Sequence, residues 1–267
     1  MDDVKKIMVS AMHRTGHHAI AVWLLHQLPG ISDFSIKTIT QWFFYVQNNK
    51  GVSYLANNPL KTGKDEPPDK ADFTNYIKAY HQTNSSLTNM VIGTHEQVGI
   101  KDTVWACGTS DIFAVNCDLV VVLRDFKNWV ASCVKMAYRD TNPNFWQREI
   151  GEVLSEEKIE LYKDHCKHYH MLDGKNYVLF NKWARDEDYR REIAEGLGLE
   201  FTDAALNQLS PFGGGSSFSS MTHLKTASAM RVNDRHREMA GSPDYEKVVK
   251  ENKEALEMSN EIFGDAD

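Results

Sequence analysis

The run Asp118 to Leu123, D-L-V-V-V-L, limits the fold more than any other stretch of this chain. A strand with one wet face alternates apolar and polar residues. An unbroken β-branched run instead asks for apolar cover on both faces, as in an interior strand of a parallel sheet. Arg124-Asp125 ends the run, and Phe126 to Tyr138 continues with helical spacing. Shorter apolar runs at Ile7 to Val9, Asn89 to Gly93 and Tyr177 to Phe180 read as further strands. Helical stretches separate them: Ala19 to Leu28, Ser155 to Leu172, Asp186 to Leu197 (stopped by Gly198) and Ser242 to Phe263 within a C-terminal helical segment, 242–267. Strands alternating with helices predict the α/β class, a single domain over 1–267 whose central, mostly parallel sheet is flanked by helices. A chain of 267 residues that is 42% hydrophobic can bury one sizeable core. Asn48 to Lys70, rich in Asn, Gly, Pro and Lys, reads as a long surface loop.

Charge narrows the partners. A net charge of −7 argues against a general nucleic-acid surface, so positive charge for a polyanionic ligand must be concentrated locally. Cys107, Cys117, Cys133 and Cys166 have neither paired metal spacing nor the density of a disulfide framework. No apolar run approaches about 18 residues, and Met1-Asp2-Asp3 does not open a signal peptide. A cytoplasmic protein with no membrane partner is expected. Oligomeric state is not encoded in any legible pattern.

Ligands of open parallel sheets bind beyond the carboxyl ends of the strands. The first strand runs into Arg14-Thr15-Gly16-His17-His18-Ala19 and then a strongly apolar helix. Strand, glycine turn and helix can build an anion pocket, because first-turn N–H groups and the positive end of the helix dipole point into the turn; the alternative is an ordinary strand–helix connection, which often contains one glycine. Gly16 lets backbone approach, Arg14 adds charge and Thr15 adds a hydroxyl donor. The other strand ends bring Thr94-His95, Arg124 and Phe180-Asn181 to the same edge. Arg124 precedes Ser132 by eight residues and can grip a phosphate with the serine completing the cradle; the alternative is a solvated arginine paired with Asp125.

With these residues in place, the chain resembles the sulfotransferases that use 3′-phosphoadenosine 5′-phosphosulfate (PAPS), whose fold is P-loop-like. Their first loop typically reads [K/R]-S-G-T-T, and R-T-G-H-H at 14–18 is similar in context. Their 3′-phosphate motif is a hydrophobic strand, then Arg, then Ser eight residues on, as in V-V-V-L-R-D-F-K-N-W-V-A-S at 120–132. G-T-H-E-Q at 93–97 resembles the K-T-H-L-P segment that carries the catalytic histidine of cytosolic members. Ser216-Ser217-Phe218-Ser219-Ser220-Met221 resembles T-S-F-x-x-M, and V-L-F-N-K-W at 178–183 with G-L-G-L at 196–199 resembles V-x-Y-E-D-L and F-L-G-L. Two histidines replace the loop threonines, Gly93 replaces a lysine, and Phe180 replaces a tyrosine. The C-terminal R-K-G segment is not visible, so Arg231 or Arg235 takes its place.

The resemblance implies transfer of a sulfuryl group from PAPS to a hydroxyl or amine of a small-molecule or carbohydrate acceptor, leaving 3′,5′-adenosine diphosphate, with no metal. It assigns Arg14, Thr15, Gly16, His17, His18 and Ala19 to the 5′-phosphosulfate. It assigns Arg124, Ser132 and Arg231 or Arg235 to the 3′-phosphate. Phe180, Ser216, Phe218 and Met221 go to the nucleoside, Phe218 stacking on adenine or simply packing in the core. His95 is the expected base, Glu96 the alternative, and Arg14 supports the leaving phosphate. Two other readings stay open. One is a P-loop kinase-like phosphotransferase, although G-x-x-x-x-G-K-[ST] is missing. The other is a nucleotide-binding module without catalysis. His165 and His168 could share a metal ion, but a solvated helix face explains that cluster better. Trp42 to Tyr45 reads as core or acceptor-pocket lining.

Overall fold

The computed structural model describes residues 5–27, 44–48, 51–55, 90–96, 99–109, 116–138, 149–206 and 231–264. Strands β1 (Lys5–Ala11), β4 (Met90–Glu96), β5 (Cys117–Leu123) and β6 (Tyr177–Leu179) form one sheet in the order β4-β1-β5-β6. Every pairing in it is parallel. Strands β2 (Phe44–Asn48) and β3 (Gly51–Leu55) make a separate antiparallel hairpin, with β2 lying against β4. No described helix is long and apolar enough to cross a membrane.

The expected cover on both faces of β5 is present, and it follows from the two-residue period of a strand. Val120 and Val122 pack with Ile7, Val9 and the helices α1 (His17–Leu25), α6 (Phe180–Trp183) and α7 (Glu187–Gly196). Val121 and Leu123 face the other way. They pack with α3 (Phe126–Ala137), α5 (Glu156–Met171), α9 (Pro243–Glu251) and α10 (Lys253–Phe263), and with Ile100 of α2 (Ile100–Thr109). Two short helices, α4 (Ile150–Val153) and α8 (Arg235–Glu238), complete the described elements. Val120 to Leu123 are all at most 2% exposed, and burying each such side chain contributes roughly 1.5–3 kcal/mol.

Four expectations need correction. Asn48 to Lys70 does not begin as a loop: Asn48 pairs with Gly51 and the chain returns as β3, while 56–70 lies outside the described residues. The segment from Ser242 to Phe263 is two helices, because Asn252 leaves helical geometry (φ −113°, ψ 50°) and its side-chain amide donates to the Val248 carbonyl at 2.8 Å. Strand β6 stops at Leu179, with Phe180 opening α6. Strand β4 runs on past Gly93 to Glu96, which places His95 and Glu96 inside the sheet, opposite Ser10 and Ala11 of β1.

The strand order also contains a switch point. The chain goes from β1 outward to β4, then crosses back to place β5 on the other side of β1. Neighbouring connections at that switch leave toward opposite faces, the arrangement that in open parallel sheets favours a crevice beyond the carboxyl ends, here those of β1 and β5. Arg14 and Arg124 follow those two ends.

Candidate functional site

The turn after β1 is held in a demanding backbone conformation. Arg14 has φ 71° and Gly16 has φ 94°, both left-handed. At Gly16 no other residue fits, since a Cβ there would stand 2.2 Å from Cε2 of Phe180. A left-handed arginine costs on the order of 1–3 kcal/mol and persists only where neighbours over-determine it. They do so here. Arg124 Nη1 donates to the Arg14 carbonyl at 3.1 Å, and Trp129 Nε1 donates to the His13 carbonyl at 2.9 Å. The Thr15 hydroxyl closes the turn on the Met12 carbonyl at 2.8 Å.

Those bonds revise the expected role of Thr15. Its side chain is fully buried and its proton is committed inside the turn, so it is not a donor toward a ligand. Ala19 likewise commits its N–H to the Gly16 carbonyl at 3.0 Å, as the first bond of α1. Gly16 is the N-cap of α1 and no side chain caps it. His17 is buried and His18 half-buried, their ring centroids 4.1 Å apart.

Opposite the turn stands Ser132, one helical turn beyond Asn128 on α3 and fully buried. Its hydroxyl oxygen accepts from Arg14 Nε at 3.2 Å and from Arg235 Nη1 at 3.1 Å. Arg124, 1% exposed, adds a third guanidinium: Nη2 donates to the Val232 carbonyl, and Nε is buried without a hydrogen-bond partner among the described residues. Two guanidiniums thus share one serine and a third holds the turn beside them, in a chain whose net charge is −7. Burial is the main force lowering the Arg124 pKa, to about 10, with Asp125 opposing it and Arg14 adding to it. Arg235 is lowered well below its usual range by burial, then by repulsion from Arg124 and Arg14. An oxyanion in the crevice would reverse both penalties.

The alternative of a solvated Arg124 paired with Asp125 does not hold. Arg124 forms no ion pair among the described residues. The Asp125 carboxylate caps α3 by accepting from the Asn128 amide at 2.9 Å, and also accepts from Asn128 Nδ2 at 3.0 and 3.1 Å and Asn181 Nδ2 at 2.6 Å.

Phe180 occupies a different position from a ligand-stacking ring. It is 4% exposed, stacked on Trp183 at 5.7 Å, and lies under Gly16 with the Arg124 guanidinium 5.3 Å from its centroid. Of the two C-terminal arginines, Arg235 joins the cluster, whereas the Arg231 side chain is 73% exposed and nearest in charge to Asp234 at 3.9 Å. His95 and Glu96 end β4 beside the last residues of β1, on the edge that carries the turn. Ser216, Phe218 and Met221 lie outside the described residues. The His165–His170 cluster is not a simple solvated face, since His165 and Cys166 are buried. No group of three or more His, Cys, Asp or Glu able to hold a metal ion occurs among the described residues.

Sequence reasoning placed Asn181 at the site edge but missed Asn128, Asn233 and His236, which with it tie the cluster together. The one local signal was Asp125 followed three residues later by Asn128 at the start of a helix, a capping pattern. A scan against protein-family models finds none that matches the chain, and no curated protein matches it in sequence.

Proposed function

We propose that this chain is a PAPS-dependent sulfotransferase acting on a hydroxyl or amine of a small-molecule or carbohydrate acceptor. The observation that supports it most is a buried cationic cluster beside the glycine turn, in which Arg14 and Arg235 both donate to Ser132 and Arg124 donates to the Arg14 carbonyl. In this reading the 5′-phosphosulfate lies at the N-terminus of α1 with Arg14. The 3′-phosphate lies among Arg124, Ser132 and Arg235. The sulfur–oxygen bond to the 5′-phosphate breaks as a bond from sulfur to the acceptor oxygen or nitrogen forms. The freed electron pair stays on the phosphate, where Arg14 and the helix N–H groups stabilise it. The acceptor proton passes to His95 or Glu96 at the end of β4. Positioning and charge stabilisation carry such a transfer, as in phosphoryl transfer.

The test is a screen of acceptor classes with PAPS carrying labelled sulfate. Transfer to at least one acceptor is expected, and His95→Ala should lower turnover by roughly 10²–10⁴-fold while nucleotide binding persists. Unchanged turnover in that variant removes His95 from the mechanism and leaves Glu96 to be tested. A second reading, a nucleotide-binding module without transfer, draws on the inward-turned Thr15 hydroxyl and the histidines at 17 and 18. It gives tight 3′,5′-adenosine diphosphate binding and no labelled product from any acceptor.

A further inference from the structure

The placement of Arg235 needs an explanation, because both burial and its neighbours' charge oppose it. Its guanidinium donates to the Ser132 hydroxyl at 3.1 Å. The backbone on either side of it is held by one side chain. Asn128, 1% exposed, accepts from the His236 amide at 3.1 Å through Oδ1 and donates to the Asn233 carbonyl at 3.0 Å through Nδ2. Asn233 in turn donates from its own Nδ2 to the Asn181 carbonyl at 3.2 Å. Asn128 is itself fixed by the Asp125 carboxylate. Residues four apart on a helix share a face, so Asn128 and Ser132 project together from α3. One holds the carbonyl two residues before Arg235 and the amide just after it, and the other receives its guanidinium.

We infer that Asn128 is a positioning residue that preorganises Arg235 for the ligand phosphate by gripping the carbonyl of Asn233 and the amide of His236. This rests on the reading of the site as one for a 3′-phosphorylated nucleotide. Neutral hydrogen bonds suit the task. They hold a third guanidinium beside two others without adding a counter-charge that would compete with the anion. Asp125 supplies a carboxylate one step removed, with the Asn128 amide between it and the Asn233 backbone.

A double-mutant cycle decides the matter. Dissociation constants for 3′,5′-adenosine diphosphate and for 5′-adenosine diphosphate are measured by calorimetry on the full chain and on Asn128→Ala, Arg235→Ala and the double variant. Arg235→Ala should weaken the 3′,5′-ligand by roughly 10- to 100-fold, the range for charge-assisted bonds. Asn128→Ala should weaken it by about 10-fold, leave the 5′-ligand within about 2-fold, and add less than about 2-fold when Arg235 is already alanine. Losses that multiply in the double variant, or fall equally on both ligands, overturn the inference, since they describe a merely structural asparagine. Should Asn128→Ala fail to fold, Asn128→Ser keeps a hydroxyl at the site while being too short for both contacts, and the same outcomes apply. If the wild type does not bind 3′,5′-adenosine diphosphate, the nucleotide reading fails. The cycle is then run with inorganic phosphate by thermal shift, where coupling between positions 128 and 235 supports positioning and independence overturns it. Binding of neither probe overturns both.

Discussion

Gly16 and Phe180 constrain each other. The ring of Phe180 fills the volume that any side chain at position 16 would need, and Gly16 also has φ 94°. Gly16→Ala therefore combines strain with a clash and is expected to destabilise by more than about 1–3 kcal/mol, while also weakening the proposed nucleotide binding. Phe180→Leu in the same chain should recover part of the stability, because it removes the clash but not the strain. A melting temperature unchanged by Gly16→Ala would contradict the packing described. Arg124 shows why such residues are only partly legible in sequence. The apolar run before it and Ser132 after it mark it as a candidate ligand residue. Its structural duty toward the carbonyls of Arg14 and Val232 depends on chain segments 110 and 108 residues away. Thr15 was misread for a related reason: a hydroxyl in a phosphate-type loop looks like a ligand donor until the Met12 carbonyl is seen 2.8 Å away. Nothing local separates Arg231 from Arg235 either; only the docking of α8 on α3 turns one inward.

Among the elements, α3 carries most of the site. Asp125 caps it, Asn128 and Ser132 share one of its faces, and Phe126, Trp129 and Val130 bury the rest in the core. Asp125→Ala removes the cap and the hub of the Asn128 and Asn181 bonds. A loss of about 1–2 kcal/mol is expected from the cap alone, read by denaturant midpoint. A midpoint shift near zero would show that the backbone amide of Asn128 has other partners. Elements were legible in proportion to their local signal. The strand–Arg–helix segment from 118 to 137 was legible because an apolar run, a capping aspartate and helical spacing agree there. The β2–β3 hairpin was not, because Asn48, Asn49, Lys50 and Gly51 are also what a surface loop contains, and the alternation beside them is short. The break at Asn252 hides among good helix formers, since an asparagine side chain competes with the backbone without announcing it in the pattern.

At the scale of the whole molecule, buried titrating groups shape the response to high pH: thiols and the phenols of Tyr162, Tyr177, Tyr189 and Tyr245 are pushed up, and the guanidiniums of Arg124 and Arg235 are pushed down, chiefly by burial. Burial raises the thiols of Cys133 and Cys166 from 9.0 to about 12. Their folded values lie above their unfolded ones, so the stability they contribute is fully present below pH 9.0 and is lost as pH rises toward about 12. Arg124 works in the opposite sense. Its depressed value makes the buried cation a cost below about pH 10, one that fades only above that pH. Melting curves should accordingly show stability falling from pH 9.0 upward, and Cys133→Ser should flatten that slope. An unchanged slope would place the titrating groups elsewhere. The same buried charge should make the protein respond to anions: a ligand at one hundred times its dissociation constant stabilises by about 2.7 kcal/mol, which is roughly 5–10 °C for a domain of this size.

The central claim is that the turn after β1 and the Arg124/Ser132/Arg235 cluster hold one bisphosphorylated nucleotide between them. Calorimetric titration of the unmodified chain with 3′,5′-adenosine diphosphate and, separately, with 5′-adenosine diphosphate tests it most directly. One molecule bound per chain, with a preference of at least about tenfold for the 3′-phosphorylated ligand, is the expected result. Equal affinity for the two nucleotides, or no binding of either, would contradict it.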